Sequence, residues 1–324
     1  MTGSPSEREV FIADEPSVVD AGVTNGAPVN RVGYLYLFAS VFLMGLAVHL
    51  IKVGLRSCTP NSAIVIVTLS AGTGVLLASA FSRLVGWRSS PFLSATPGNS
   101  WREMTRYWKW LLPATVIGML GGWTGTVVVK LYTASMAMFL GNQTLVFLVI
   151  GGVVLGDRLS VRELFYITMV MSGALLFAWT GEAVAWFAVG IMGISCVCTA
   201  VKQVLIKQAV SRGGLWELMA AQQYMMAAWG FVLGAATGHL EIPPLSSALL
   251  IILGGTLQSF LGMGLLYAGY REVGIARGAP INAMRPLMVL VVGLMIGTET
   301  LGLMQAAGGA LVLAGSALLA GSRR

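Results

Sequence analysis

The stretch that decides the fold is IARGAPINAMRPLMVLVVGLMIG, residues 275–297. It is apolar and long enough to cross a bilayer, which takes about 20 residues. Asn282, Arg285 and Pro286 nevertheless lie near its middle, and nothing acidic within the stretch neutralises Arg285. A guanidinium near the bilayer centre costs about 2.5–3.5 kcal/mol on insertion scales, so it faces a protein interior or a watery cavity. We therefore place a binding site around Arg285.

The composition of the whole chain is that of a helical membrane protein. Of its 324 residues, 56% are hydrophobic and only 10% are charged, whereas ordinary soluble domains carry about 25% charged residues. The net charge of +7 is explained by basic cytoplasmic loops, and we expect no nucleic-acid partner. The sequence predicts an all-α membrane protein.

Ten apolar segments are predicted to span the membrane as helices. They run near 32–54, 61–85, 110–129, 133–156, 162–180, 183–209, 216–237, 246–269, 276–297 and 302–321. If the loops are assigned to alternate sides, the side of the N-terminus holds 16 Lys and Arg residues, and the opposite side holds Lys52, Arg56 and Lys130. This asymmetry places both termini in the cytoplasm. We expect a multi-pass protein of a cell (inner) membrane.

Two segments outside the spans have a character of their own. Residues 1–31 hold several acidic residues with Ser, Pro and Gly but no apolar core, which predicts a disordered cytoplasmic tail. Residues 86–109 carry Trp and Arg together. This segment is either a surface loop or an amphipathic helix that lies on the bilayer.

An internal repeat divides the ten spans into two halves. A shift of 142 positions pairs Leu145 with Leu287, and it pairs Asp157 with Glu299. A shift of 150 pairs Lys52 with Lys202. Because each half holds five spans, the second half must be inverted relative to the first. We predict two inverted five-helix repeats, residues 32–180 and 183–321, which is the arrangement of transporters that bind their solute near the midplane.

The residues that carry a family resemblance fall in the corresponding part of each half. They are residues 134–179, with GDRLS at 156–160, and residues 276–321, with GTETL at 297–301. Each segment joins small residues, an apolar span, a Gly-acid-x-Leu turn and a Gly-rich final span. The chain in this respect resembles the drug/metabolite transporter superfamily in its ten-span EamA-type branch. The resemblance implies alternating access of a small solute and no enzymatic chemistry.

The ninth span shows a second similarity. Asn282-x-x-Arg285 resembles an Asn-x-x-basic pattern of the sugar-phosphate translocator branch, in which the basic residue holds a phosphate. Pro286 departs from that pattern, since it stands where the branch tends to carry a second basic residue. Thr144 takes the place of Pro286 in the fourth span, so the two half-sites are unequal.

Arg285 heads the candidate binding residues. It lies about 11 Å from the start of its span at 1.5 Å per residue, which approaches the midplane. A guanidinium is a forked donor for carboxylate or phosphate, although helix carbonyls or lipid headgroups could also satisfy it. Pro286 lacks an N–H, so the carbonyl of Asn282 loses its helical partner. Asn282 and Arg285 share one face.

Other polar residues within the spans are candidates for the same pathway. Gln143 is the repeat mate of Arg285, and Asn142 is its neighbour; both amides could face a cavity or bond to a neighbouring helix. Ser195, Cys198, Thr199 and Lys202 form one polar stripe. The lysines at 52 and 202 either line the pathway or extend to the interfaces. His49 is either titratable near neutral pH or structural. The aromatic candidates are Trp123, Tyr224, Trp229 and Tyr267, which either wall a pocket or only pack.

The sequence shows no arrangement of residues that is typical of a metal site or of a catalytic site. Cys196 and Cys198 are two apart on a helix and cannot converge on one metal, so we expect no metal site, no cofactor and no enzyme activity. No acidic residue lies well inside a span. We therefore predict a transporter of a small anionic or zwitterionic metabolite, with Lys202 assisting at the site. Efflux of partly hydrophobic compounds and a non-transporting scaffold are the alternatives. Glycine-rich faces such as Gly308/Gly309 also permit a homodimer.

Overall fold

The computed structural model describes residues 31–84, 100–154, 160–179, 185–210, 215–273, 278 and 281–322. The predicted N-terminal tail, the region of residues 85–99 within the Trp/Arg segment, and Asp157 lie outside these ranges. The backbone of Tyr267 is described, whereas its side chain is not.

The described chain is built from helices. In chain order they are α1 (Arg31–Gly54), a 3₁₀ turn (Leu55–Ser57), α2 (Pro60–Leu84), α3 (Ser100–Leu131), α4 (Ala134–Gly141), α5 (Gln143–Val154), α6 (Val161–Phe177), α7 (Trp186–Val210), α8 (Leu215–Ala236), α9 (Leu245–Thr256), a π segment (Leu257–Gly262), α10 (Met263–Val273), α11 (Arg285–Met295) and α12 (Leu303–Ser322).

Six of these segments are long and apolar enough to cross a membrane. They are Arg31–Ser57, Pro60–Leu77, Trp108–Leu131, Ala134–Gly151, Trp186–Ile206 and Leu245–Leu266. Two shorter apolar helices, Arg285–Met295 and Leu303–Leu319, follow near the end of the chain. Large apolar side chains such as Phe42, Leu77 and Phe231 point outward, as expected of helices that face lipid. The described residues are therefore helical, with the apolar helices of a multi-pass membrane protein.

A few helix–helix contacts account for most of the packing. Helix α1 packs along α9, the π segment and α10, and it also contacts α11. Helix α7 packs on α3 and touches both α4 and α5. Helices α2 and α8 form one further pair, and α6 and α12 form another.

Glycines allow α6 and α12 to approach closely. A Cβ atom at Gly308 would lie 2.5 Å from the backbone nitrogen of Phe177 and 2.6 Å from the carbonyl oxygen of Gly173. A Cβ at Gly173 would lie 2.7 Å from the carbonyl oxygen of Gly308. Real Cβ atoms do not tolerate such distances, so α6 and α12 can pack this closely only with glycine at both positions.

The π segment keeps one long span against α1. Ser40 on α1 donates its hydroxyl to the carbonyl of Gly262 at 2.6 Å. Before the segment, a Cβ at Gly254 would meet Ile51 at 2.6 Å, and after it, a Cβ at Gly269 would meet Leu37 at 2.6 Å. The contact with α1 therefore continues on both sides of the π segment.

Two spans are broken near their middles. Helix α4 ends at Gly141, Asn142 forms a turn, and α5 begins at Gln143. The N–H of Leu145 bonds to the carbonyl of Asn142 at 3.1 Å, which is the tighter i to i+3 pattern. The second break, at Met284, precedes α11 and is explained by Pro286, which cannot donate to the carbonyl of Asn282.

Candidate functional site

The two helix breaks touch each other, and we call the place where they meet the crossing. The side-chain amide of Asn142 donates to the carbonyl of Ala283 at 3.4 Å, which is long for a hydrogen bond. Gln143 is the first residue of α5, and Arg285 is the first residue of α11. Two helix N-termini with their free N–H groups therefore begin beside one contact.

Gln143 and Arg285 each hold a buried donor atom without a partner in the described part of the chain. Gln143 is 2% exposed, and its Nε2 has no hydrogen-bond partner. The Nε of Arg285 is also buried and also has no hydrogen-bond partner. An unsatisfied buried donor costs about 1–3 kcal/mol, and helix N-termini favour negative charge. The crossing can therefore accept an anionic group or a group rich in acceptors.

The structure places Asn142, Asn282, Gln143 and Arg285 at this crossing. Asn282 is half-buried and lies one residue before Ala283, in the helical turn that ends at Met284. Its carbonyl is the one that Pro286 deprives of a helical partner. Four of the five residues predicted to bind substrate are thus close to one another along the two broken spans.

Lys202 is the fifth, and its side chain lies against a different helix pair. Its Cδ lies 2.5 Å from where a Cβ at Gly118 of α3 would be, and Met226 Sδ lies 3.4 Å from the same point. No contact between Lys202 and the crossing is observed among the described residues. A role for Lys202 in substrate binding stays a prediction.

The polar stripe on α7 packs against α3. Ser195 donates its hydroxyl to the carbonyl of Gly121 at 2.7 Å, and a Cβ at Gly121 would lie 2.9 Å from Cys198 Cβ. Helix α7 reaches the crossing through another residue, Cys196, whose Sγ lies 3.5 Å from the carbonyl oxygen of Leu140. The stripe therefore serves helix packing at these positions.

His49 and Lys52 lie near the end of α1 and are engaged with backbone carbonyls. His49 is 3% exposed, and its Nε2 is 2.7 Å from the carbonyl oxygen of Val289. The Nζ of Lys52 donates to the carbonyl of Tyr132. Both residues join α1 to other spans, α11 in one case and the α3–α4 connection in the other.

The contacts of Glu299 were not predicted from the sequence. Its carboxylate accepts hydrogen bonds from the backbone N–H of Ser135 at 3.0 Å and from the Ser135 hydroxyl, and it is 8% exposed. The sequence marked Glu299 only as the acidic residue of the turn after Gly297 and as the repeat partner of Asp157. Ser135, 164 positions away, carried no signal of the pairing.

Three of the four aromatic candidates lie on α3 and α8, and the backbone of the fourth, Tyr267, lies in α10. Trp123 and Trp229 pack against one buried cluster that includes Met119 and Met226, and the indole Nε1 of Trp123 has no partner within the described residues. The hydroxyl of Tyr224 lies 3.0 Å from that of Thr73 on α2. These contacts are those of helix packing, and a role in the pathway stays a prediction.

Cys58 lies between the first two spans and is 3% exposed. Burial raises the pKa of its thiol, and the nearby charge of Lys130 lowers it in part. Lys130 also donates to the carbonyl of Cys58 at 2.8 Å. Among the described residues, no group of three or more His, Cys, Asp and Glu side chains could hold a metal ion.

Comparison with known proteins finds a family model that matches the second half of the chain. The model of the EamA-like transporter family matches residues 186–321. A comparison with curated proteins found no match. Among 21 solved chains that match, one described as "Crystal structure of protein" superposes with a TM-score of 0.61 at 14% identity. It covers 89% of this chain and 96% of its own length, and it shows the fold alone.

The family match agrees with the apolar, all-helical architecture of the described chain. The members of this family are transporters and not enzymes. Residues 186–321 match the EamA-like transporter family, and apolar helices long enough to span a membrane occur in both halves of the described chain.

Proposed function

We propose that the chain moves a small anionic or zwitterionic metabolite by alternating access, and that Arg285 binds the negative charge of that solute. The observation that carries this proposal is the pair of unpartnered buried donors, Gln143 Nε2 and Arg285 Nε, at the starts of α5 and α11. A solute with an anionic group satisfies both donors and gains from both helix N-termini.

The sign of the substrate charge follows from the groups at the crossing. Asn142, Gln143 and Asn282 are neutral amides, and Arg285 is the cation. Among the described residues of α4, α5 and α11, none is acidic. An anion therefore meets its counter-charge at Arg285, and the planar guanidinium can hold a carboxylate or phosphate by two parallel bonds. A purely cationic solute would meet only repulsion there.

Ten spans in two inverted repeats belong to the same proposal. If α4 with α5, α9 with α10, and the turn at residues 281–283 with α11 each count as one span, the helices form ten. Exchanging the two halves then maps the α1 packing on α9–α10 onto the α7 packing on α3. It also maps the α1–α11 contact onto the contacts of α7 with α4 and α5. This correspondence supports an inverted repeat.

A pair of hydrogen bonds supports the repeat at residue level. Ser40 donates to the carbonyl of Gly262, and Ser195 donates to that of Gly121. If these bonds correspond, α1 is offset from α7 by 155 positions (195 − 40 = 155) rather than the 150 expected from sequence. Lys52 then pairs with Lys207 and not with Lys202. Lys202 consequently loses the symmetry argument that made it a pathway residue.

Two alternative functions are distinguished by which residues matter. Efflux of partly hydrophobic compounds would depend on the aromatic cluster, so Trp229→Ala would abolish export while Arg285→Gln would leave it intact. A scaffold would move no solute saturably in liposomes. An inner-membrane location, cytoplasmic termini and a homodimer remain predictions from the sequence.

The direct test is ligand-induced thermal stabilisation of the purified protein by anionic, zwitterionic and cationic metabolites. A ligand present at 100 times its dissociation constant adds about 2.7 kcal/mol to the free energy of unfolding. We expect anions or zwitterions to stabilise the wild type, and we expect Arg285→Gln to remove the effect. Arg162→Gln is the matched control because Arg162 is exposed at the start of α6.

A second variant separates binding from folding. Gln143→Met keeps the size of the side chain and removes its amide, so it should weaken the stabilisation by anions without lowering the melting temperature of the free protein. Stabilisation by cations alone, or by anions in Arg285→Gln as strongly as in the wild type, would refute the proposal.

A further inference from the structure

A buried carboxylate joins two helices at the end of the bundle where α1 ends. Glu299 lies between α11 and α12, and both of its oxygens accept hydrogen bonds from Ser135, in the first turn of α4. Thr133 accepts the N–H of Met136 in the same turn. The free N–H groups of α4 are therefore shared between a residue of its own segment and Glu299. A carboxylate at a helix N-terminus is also favoured by the helix dipole.

Two basic side chains of α1 lie near the same carboxylate. Lys52 interacts electrostatically with Glu299 and with Arg56. The imidazole of His49 and the carboxyl of Glu299 both approach Gly293, since a Cβ there would lie 2.8 Å from His49 Cε1 and 3.0 Å from Glu299 Cδ. We call Glu299, Ser135, His49 and Lys52 the Glu299 cluster.

The cluster connects helices on both sides of the repeat boundary. His49, Lys52 and Ser135 come from α1 and α4 in the first half of the chain, and Glu299 follows α11 in the second. Under alternating access, parts of the two halves move against each other, so the Glu299–Ser135 bonds, which join the two halves at this end, can close it when they are formed and open it when they are broken.

We propose that Glu299 is a gating residue, whose bonds to Ser135 hold this end of the transporter closed. The role rests on the proposed function, since only a transporter that alternates has an end to close. Loss of a hydrogen bond to a charged group shifts an equilibrium by about tenfold or more. Removing the charge of Glu299 therefore increases the population that is open at this end by that factor.

Cys58 is a native reporter for opening at this end. It follows the 3₁₀ turn (Leu55–Ser57) at the end of α1 and is almost fully buried. Lys130, in the last turn of α3, donates to its carbonyl. Separation of α1 from the α3–α4 connection should expose the thiol to a maleimide. The charges that act on this thiol are Lys130 and Glu241, so a change at Glu299 alters its accessibility rather than its reactivity.

The experiment measures the rate of maleimide labelling of Cys58 by peptide-resolved mass spectrometry at constant pH. We expect Glu299→Gln to increase the rate about tenfold or more. Ser135→Ala keeps the backbone N–H and should give a smaller increase. The double variant should label no faster than Glu299→Gln, since both changes act on the same bonds. Glu272→Gln is the matched control, because Glu272 is exposed and lies beside the start of α1.

Cys196, which is 1% exposed, distinguishes gating from general unfolding and should stay unlabelled in every variant. Three results would overturn the assignment: wild-type labelling of Cys58 in Glu299→Gln, single-variant increases that multiply in the double variant, or parallel labelling of Cys196. Labelling needs no substrate, so its outcome does not depend on whether anions bind at Arg285. Failure of the anion proposal would instead be seen in the thermal shifts.

Discussion

Replacement of Gly308 by alanine tests how closely α6 and α12 are packed. The added Cβ would lie 2.5 Å from the nitrogen of Phe177, 2.6 Å from the oxygen of Gly173 and 2.9 Å from the carbonyl carbon of Leu176. All three are backbone atoms, so no side chain can rotate away. The helices must separate by nearly 1 Å to reach about 3.4 Å, a distance of ordinary contact. Overpacking of this kind costs about 1–3 kcal/mol, and the rigid neighbours favour the upper end.

Helix propensity acts in the opposite direction. Alanine in place of glycine stabilises a helix by about 1 kcal/mol, so the net loss expected for Gly308→Ala is about 2 kcal/mol. Gly190→Ala is the matched control, since a Cβ at Gly190 on α7 would meet nothing within 4 Å. Gly190→Ala should therefore gain only the stabilisation that alanine gives to a helix, about 1 kcal/mol. The two variants should therefore differ by about 3 kcal/mol in unfolding free energy, measured by steric trapping in one detergent. Equal stability would refute the claim of backbone contact.

Three further outcomes are expected from single contacts. Because burial raises the pKa of Cys58, its alkylation rate should keep rising with pH beyond the range of an ordinary thiol; Lys130→Gln should raise that pKa further and slow alkylation at fixed pH. Ser40→Ala and Ser195→Ala should each cost about 1 kcal/mol of unfolding free energy, because each removes one hydroxyl bond; a cost in only one of them would contradict the proposed correspondence. Trp123→Phe should leave the melting temperature unchanged or raise it, because the indole Nε1 that it removes has no partner; a marked fall would contradict that geometry.

The membrane class and the break before α11 could be predicted from the sequence because both are local signals. Apolar composition predicts burial in lipid, and Pro286 removes a specific hydrogen bond. The break at Asn142 was not predicted, since no proline marks it. Gly141 followed by Asn142 is a turn signal, but it is weak inside an apolar span.

The contacts of Glu299 and Lys202 could not be predicted, because they depend on how distant helices pack. The glycine on α3 that Lys202 lies against, like the serine that bonds to Glu299, carries no mark of its partner in the sequence. A shift of 150 between the halves pairs Lys202 with Lys52 on residue identity alone. The hydrogen bond of Ser195 to α3 instead supports a different offset. A hydrogen bond shows which face of a helix meets its neighbour, whereas a matching residue type in the sequence does not.

The π segment of the long span between Leu245 and Val273 restricts which changes of length the chain tolerates. A π turn holds about one residue more than an α turn, so deletion of a single residue within Leu257–Gly262 could restore regular α-helix. Because the wider π turn accommodates that extra residue, the deletion would leave every later residue at nearly the same angle around the axis, and Gly269 would stay in the groove that it shares with Leu37. Loops elsewhere can gain or lose residues at little cost. This helix can therefore lose one residue within its π segment, whereas a deletion in its regular turns would rotate every later residue by about 100° relative to α1.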